Sequence, residues 1–258
     1  MCSSDLMKKV HFVDNYLLNP THPITISLVG VGGTGSMVLT SLARINYALC
    51  SLGHPGVHVR AFDPDIVSQA NIGRQLFSES DIGINKANIL ITRINRFFGY
   101  SWECVPEIFK SDESKENIII SCVDSVKSRL SIEKAINGKS GIDQSRRLYW
   151  MDFGNGTNFG QVVLGTLSNI KQPKSKKYKS VAELKTVTEF FDLTQVDEKD
   201  SGPSCSLAEA LRKQDLFINS TLSQLGCALL WKLITNGMID YQGMFLNLDT
   251  MNVNPIKL

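Results

Sequence analysis

The stretch Ile24–Ser36, reading I-T-I-S-L-V-G-V-G-G-T-G-S, restricts this chain more than any other. A short β-branched run stops at Gly30, and Gly32, Gly33 and Gly35 follow before a helical pattern begins. A strand that ends in G-x-G-x-x-G and runs into a helix aims backbone N–H groups and the positive helix end at one spot. That spot suits a phosphate. The turn alone leaves the ligand open among a dinucleotide, a flavin and ATP.

The residues after the turn supply the rest of a βαβ unit. Gly33–Leu52 reads as a helix, with apolar Met37, Val38, Leu42, Ile45 and Leu49, and it stops at Gly53. Val57–Phe62 alternates like a strand and ends at Asp63. A right-handed crossover makes the two strands parallel neighbours. An acid at the tip of the second strand is placed to bond ribose hydroxyls. The plainer reading of Asp63 is a turn-forming acid before Pro64.

Bulk properties narrow the classes. The 258 residues, 43% hydrophobic and 20% charged, suffice for one large α/β core or for two small domains. A formal charge of +2 gives no reason to propose nucleic acid as the main partner. The sequence carries no apolar run long enough for a membrane span. The N-terminus has no apolar signal core, so a cytoplasmic location is expected, with Met7 as an alternative start to residues 1–6. None of the six cysteines forms a C-x-x-C pair, and no zinc is expected. Cys122 and Cys227 lie within apolar patterns and read as core thiols.

The segment that follows Asp63 decides more than the glycines do. It runs D-P-D-I-V-S-Q-A-N-I-G-R-Q-L-F and includes Asp65, Asn71, Arg74 and Gln75; I-G-I-N-K then brings Lys86 to the head of a helix, Ile84–Phe98. A dehydrogenase has no evident task for these residues so close together. A triphosphate does, because its charges must be neutralised before a carboxylate attacks the α-phosphorus. Each residue taken singly would pass as a solvated loop charge.

This block resembles the ThiF/MoeB/ubiquitin-activating enzyme superfamily, whose pattern is G-x-G-G-x-G-S, then D-x-D-x-V-x-x-x-N-x-x-R-Q, then G-x-x-K. Every one of those letters is present. The resemblance extends over about residues 24–250 and looks closest to short bacterial ThiF-family proteins of the PRTRC type. Those are grouped with a small ubiquitin-like protein, a conjugating-enzyme-like protein and a JAB-type peptidase. It implies a Rossmann-like α/β fold of the ThiF/MoeB adenylation type. That fold has a mostly parallel sheet continuing into antiparallel strands, with helices on both faces, and usually forms a homodimer. Two departures stand out: the zinc C-x-x-C pairs are absent, and no Arg precedes the first strand, leaving Lys8 or Lys9 in that place.

Further along, a strand near Trp102–Val105, an apolar strand over Asn117–Val123 and a helix over Lys127–Asn137 are expected. Asp124, at the carboxyl end of the central strand, either holds Mg²⁺ on phosphates or caps the helix. The resemblance implies the Mg²⁺ and ATP role, with Ser125 and Arg129 matching the family pattern loosely. Arg147–Phe153 and Gly160–Thr166 read as two strands. Five lysines within Lys171–Lys179 form a solvated loop or steer an acidic partner. Val181–Phe191 contains a helix in this reading, and residues 167–204 are a mobile crossover within a single domain, 7–258. Helices over Leu207–Lys213 and Leu216–Thr235 and a closing strand, Tyr241–Leu248, complete the chain.

Cys205 follows the crossover and opens a helix, a setting that lowers a thiol pKa and keeps it accessible. It reads either as a nucleophile or as a small residue at a junction. In relatives that activate small ubiquitin-like proteins, the thioester cysteine stands in this context.

Together these imply ATP-dependent adenylation of the C-terminal carboxylate of a small ubiquitin-like protein, with Cys205 then taking the acyl group. Gly30, Gly32, Gly33 and Gly35 admit the nucleotide, and Asp63 holds the ribose. Asn71, Arg74, Gln75 and Lys86 neutralise and position the phosphates, and Asp124 places Mg²⁺. One alternative stops at adenylation of a sulfur-carrier protein. A different class is an NAD(P)-dependent oxidoreductase, and a third is a non-catalytic nucleotide-binding module.

Overall fold

The computed structural model describes residues 7–110, 116–137, 147–193 and 214–258. In chain order the elements are β1 (Lys9–Phe12), α1 (Asn15–Leu18), β2 (Ile24–Val29), α2 (Gly33–Ser51), β3 (Val57–Phe62) and α3 (Lys86–Phe98). There follow β4 (Glu103–Val105), β5 (Ile118–Ser121), α4 (Val126–Asn137), β6 (Tyr149–Asn155), β7 (Phe159–Thr166) and β8 (Lys179–Ser180). The last are α5 (Val187–Phe190), α6 (Ile218–Asn236), β9 (Met238–Ile239), β10 (Tyr241–Asn247) and β11 (Asn252–Lys257).

Eight strands form one sheet in the order β11-β10-β7-β6-β5-β2-β3-β4. From β4 to β6 every pairing is parallel, and from β6 to β11 every pairing is antiparallel. The expected mixed α/β architecture is therefore observed. The central strand β5 reads as a near-continuous apolar run because both its faces are covered. Ile118 and Ile120 of β5 enter one core layer and Ile119 the other. In β6, Tyr149, Met151 and Phe153 likewise oppose Trp150. The larger layer lies under α2, α3 and α6, whose Leu39, Leu42, Leu90, Ile91, Leu229 and Leu230 fill it. Burying each such side chain contributes about 1.5–3 kcal/mol. The thinner layer takes Ile132 and Ile136 of α4 and Val187 of α5.

Local chemistry moves several expected boundaries. Helix α3 starts at Lys86 rather than Ile84, because the Asn85 side chain accepts the Asn88 N–H at 3.0 Å and caps it. Within Val181–Phe191 only the single turn of α5 is helical. The expected closing strand is not the last, since a turn in which Asn247 Oδ1 accepts the Thr250 N–H leads into β11. The expected helix Leu207–Lys213 lies outside the described residues. No helix among the described residues is long and apolar enough to cross a membrane.

A second, three-stranded sheet was not anticipated. β1 lies between β8, its parallel neighbour, and β9, its antiparallel one. The described part of the expected crossover, 167–193, is thus hydrogen-bonded to the chain's beginning: Lys179 donates to the Lys8 carbonyl and Val181 to that of Val10. His11 secures this sheet. It is fully buried, with Nδ1 at 2.7 Å from the Val181 carbonyl and Nε2 at 2.9 Å from the Tyr149 hydroxyl. These partners assign the neutral tautomer: Nδ1–H donates to the carbonyl, and Nε2 accepts from the tyrosine, whose oxygen accepts the Asp14 N–H.

Burial pulls the His11 pKa below its ordinary 6.5, against a smaller opposing effect of the Val181 carbonyl. The unfolded chain therefore binds the proton more readily. The His11 contribution to stability is fully present above pH 6.5 and is lost as pH falls through that value toward the folded pKa. Urea midpoints measured from pH 7.5 to 5 are expected to fall less in His11→Asn than in wild type. Equal slopes would remove His11 as the titrating group.

Candidate functional site

β2 pairs with β3 on one side and β5 on the other; the connection from β2 runs through α2 to β3, while that from β5 runs through α4 toward β6 in the opposite direction. Open α/β sheets form their ligand crevice at such a switch point. Here the crevice is a cavity of about 520 Å³. Gly30, Gly32 and Gly33, Asp63 and Asp65, Arg74, Gln75, Lys86 and Asp124 all line it. Residues spread over a hundred positions of sequence thus meet around one space.

The turn depends on two glycines in particular. Gly30 has φ +83°, and a Cβ there would stand 2.9 Å from the Cys122 carbonyl oxygen. A Cβ at Gly35 would stand 1.9 Å from the Gly30 carbonyl oxygen. Gly35 therefore lets α2 close onto the end of β2; it does not line the cavity. Gly33 and Thr34 of the first turn of α2 line the crevice, at the helix end whose first amides have no intrahelical acceptor.

Asp63 is buried and accepts the Val31 N–H at 2.7 Å on Oδ2 and the Asp65 N–H at 2.9 Å on Oδ1. Its carboxylate thereby braces the glycine turn, and each oxygen keeps a second lone pair. Burial raises its pKa, opposed by the two amides and the charge of Lys86. Lys86 is buried to 8% exposure and its Nζ lies 2.9 Å from Oδ2 of Asp65, an exposed carboxylate. Asn71 does not reach the cavity. Its Oδ1 accepts the Ser68 N–H at 2.9 Å and the Ser68 hydroxyl at 3.2 Å, closing a 3₁₀ turn over Gln69–Asn71. The S-x-x-N spacing satisfies local donors, and that competes with any ligand contact.

Arg74 is the unusual group. Its Nη1 donates to Gln214 Oε1 at 2.6 Å, its buried Nε has no partner, and it makes no ion pair among the described residues. Burial lowers its pKa, which marks a guanidinium taken from water without a counter-charge. Beside it the Oε1 of buried Gln75 is also without a partner. Orphaned polar atoms in a cavity await a ligand's own polar groups.

Asp124 is exposed just past the end of β5. Arg129 fixes that end: its Nε bonds the Asp152 carboxylate at 3.2 and 3.0 Å, and its Nη2 donates to the carbonyls of Val123 and Phe153. Among the described residues no three His, Cys, Asp or Glu side chains form a metal-binding group. Cys122 is also a cavity residue, but burial pushes its thiol well up, as expected of a core cysteine. Lys8 lies elsewhere, paired with Asp240 at 2.6 Å. Cys205 lies outside the described residues.

Sequence reasoning missed several cavity-lining polar residues: Glu107, Lys127, Ser128 and Ser131, and a linked group of Thr34, Asn155, Gln214 and Asn219. Asn219 Oδ1 accepts from the Thr34 hydroxyl at 2.9 Å and from Asn155 Nδ2 at 2.8 Å. Its Nδ2 donates to Gln214 Oε1 at 3.1 Å. Neutral amides in no recognisable spacing carry no sequence signal; only the docking of α6 on α2 gives them one. Helix-end amides, Arg74, Lys86 and Lys127 around one space can receive an anionic group, beside the carboxylates of Asp63, Asp65, Glu107 and Asp124.

The chain matches the ThiF family over residues 21–257 and belongs to that family. It is similar to ubiquitin-like modifier-activating enzyme 5 of Branchiostoma floridae, 26% identical over 184 residues, covering 64% of this chain and 40% of the relative. The same enzyme of Xenopus laevis is 26% identical, with 64% and 41% covered. The chain thus spans about two fifths of the length of these curated relatives. Among solved structures, Escherichia coli MccB matches with a TM-score of 0.57 at 15% identity, over 93% of this chain and 63% of that one. PaaA matches with a TM-score of 0.59 at 15% identity, over 91% and 64%. At such identities these two show the fold.

Proposed function

We propose that this chain is an ATP-dependent activating enzyme for a small ubiquitin-like protein. The C-terminal carboxylate of that protein attacks the α-phosphorus of ATP, forming an acyl-adenylate as pyrophosphate leaves. The Cys205 thiolate then attacks the acyl carbon, forming a thioester and releasing AMP. The support comes from membership of the ThiF family, from relatives named as ubiquitin-like modifier-activating enzymes, and above all from Arg74. A guanidinium half-withdrawn from water, without a carboxylate partner among the described residues, lining the same cavity as the first turn of α2, suits phosphate better than packing.

In this reading the turn amides and α2 receive the phosphates, Arg74 and Lys86 stabilise the charge that builds toward pyrophosphate, and Asp63 steadies the turn beside the ribose. A Mg²⁺ ion, carried mainly by phosphates and water with Asp124 as a protein ligand, would neutralise phosphate charge. Asn71 acts by holding the loop that presents Arg74. A two-fold homodimer in the cytoplasm completes the proposal.

Thermal unfolding tests the ligand. Mg²⁺–ATP is expected to raise the melting temperature and NAD to leave it unchanged; the reverse would favour an oxidoreductase. Cys205→Ala tests the second step. With ATP and a thiol trap, wild type is expected to give a reducible protein adduct and Cys205→Ala none. An adduct that persists in the variant leaves adenylation, as for a sulfur carrier, without an enzyme thioester at this residue.

A further inference from the structure

Arg74 owes its position to one neutral group. Gln214 Oε1 accepts both from Arg74 Nη1 at 2.6 Å and from Asn219 Nδ2 at 3.1 Å, while Gln214 Nε2 donates to the Gly156 carbonyl at 3.3 Å. Asn219 is fixed in turn. It is 3% exposed on the first turn of α6, bonded to Thr34 and Asn155, and its amide lies over Gly33. The guanidinium is thus indexed, through two amides, to the first turn of α2, the same helix end that faces the cavity.

From this geometry we propose that Gln214 is the positioning residue for Arg74. It orients the guanidinium through a neutral acceptor, so that the full positive charge is left for an anionic phosphate group in the cavity. A carboxylate at position 214 would orient Arg74 equally well and cancel its charge. An amide oxygen gives orientation without neutralisation, and here it bonds Asn219 at the same time. Desolvation of Arg74 then works in the ligand's favour, since the cavity holds an unmet charge before the ligand arrives. This inference rests on the phosphate-binding reading of the cavity.

The test compares Gln214→Glu and Gln214→Leu with wild type by isothermal titration, using Mg²⁺–ATP, inorganic pyrophosphate and adenosine. Gln214→Glu is expected to weaken ATP and pyrophosphate binding about tenfold or more, the scale of one charged hydrogen bond, and to leave adenosine unchanged. Gln214→Leu, with the charge intact but unoriented, is expected to weaken ATP by less than Gln214→Glu does. In an Arg74→Ala background the Gln214→Glu change is expected to have no further effect, a coupling that a merely structural role would not give. Unliganded melting temperatures identify any variant that fails to fold, and the Gln214→Leu comparison then decides. ATP binding by Gln214→Glu at wild-type strength, or weakening that persists without Arg74, overturns the proposal. Wild type that binds pyrophosphate but no ATP would instead sink the adenylation reading, with the pyrophosphate series still deciding the role of Gln214.

Discussion

Arg74→Ala is expected to weaken Mg²⁺–ATP binding about 10–100-fold while leaving the protein folded, since one to two charged hydrogen bonds to phosphate are removed. The fold has little stake in this side chain. Among the described residues its one hydrogen bond runs from Nη1 to Gln214, and its Nε is buried without a partner, so truncation removes a desolvated charge. Stability in urea is therefore expected to stay within about 1 kcal/mol of wild type, or to rise. An unchanged ATP affinity by calorimetry would separate Arg74 from the ligand altogether. Lys86→Ala differs in kind, because it also frees the Asp65 carboxylate at the cavity.

The second large effect concerns the backbone. Gly35→Ala is expected to cost about 3 kcal/mol or more, because its Cβ would stand 1.9 Å from the Gly30 carbonyl oxygen and no flexible side chain can yield there. Gly32→Ala is the control. Its Cβ meets only the Gln75 amide, at 3.7 Å, and the expected loss is within about 1 kcal/mol. Urea midpoints read the contrast; similar midpoints for the two variants would mean that α2 does not press on the turn as described.

The βαβ start of the sheet was legible because its signals are local. Val57–Phe62 ends where the alternation ends, and the glycine turn follows the apolar strand directly. Asp63, Asp65, Arg74, Lys86 and Asp124 of the cavity's lining were legible for the same reason, whereas Glu107 and Lys127 were not. What the sequence hid is whatever depends on distant pairing. β1 and β8 are too short to show a period, and they exist because Lys9 and Val10 find Lys179 and Ser180. β11 contains Asn252, Asn254 and Pro255, residues that read as turn, and its hydrogen bonds to β10 override that preference. Asn71 misled because one spacing serves both a capping turn and a family motif. Asn219 and Gln214 gave no warning, since a neutral amide matters only once a helix far along the chain sets it over Gly33.

The placement of β1 also orders events in time. This strand sits between β8 and β9, whose residues lie at 179–180 and 238–239. During synthesis the parallel strands can pair nearly as they emerge, while Lys9–Phe12 stays without either neighbour until most of the chain has been made. At about 5–20 residues per second that delay is on the order of tens of seconds. β1 is thus made long before both of its neighbours exist, and the His11–Tyr149 hydrogen bond also joins it to residues made much later.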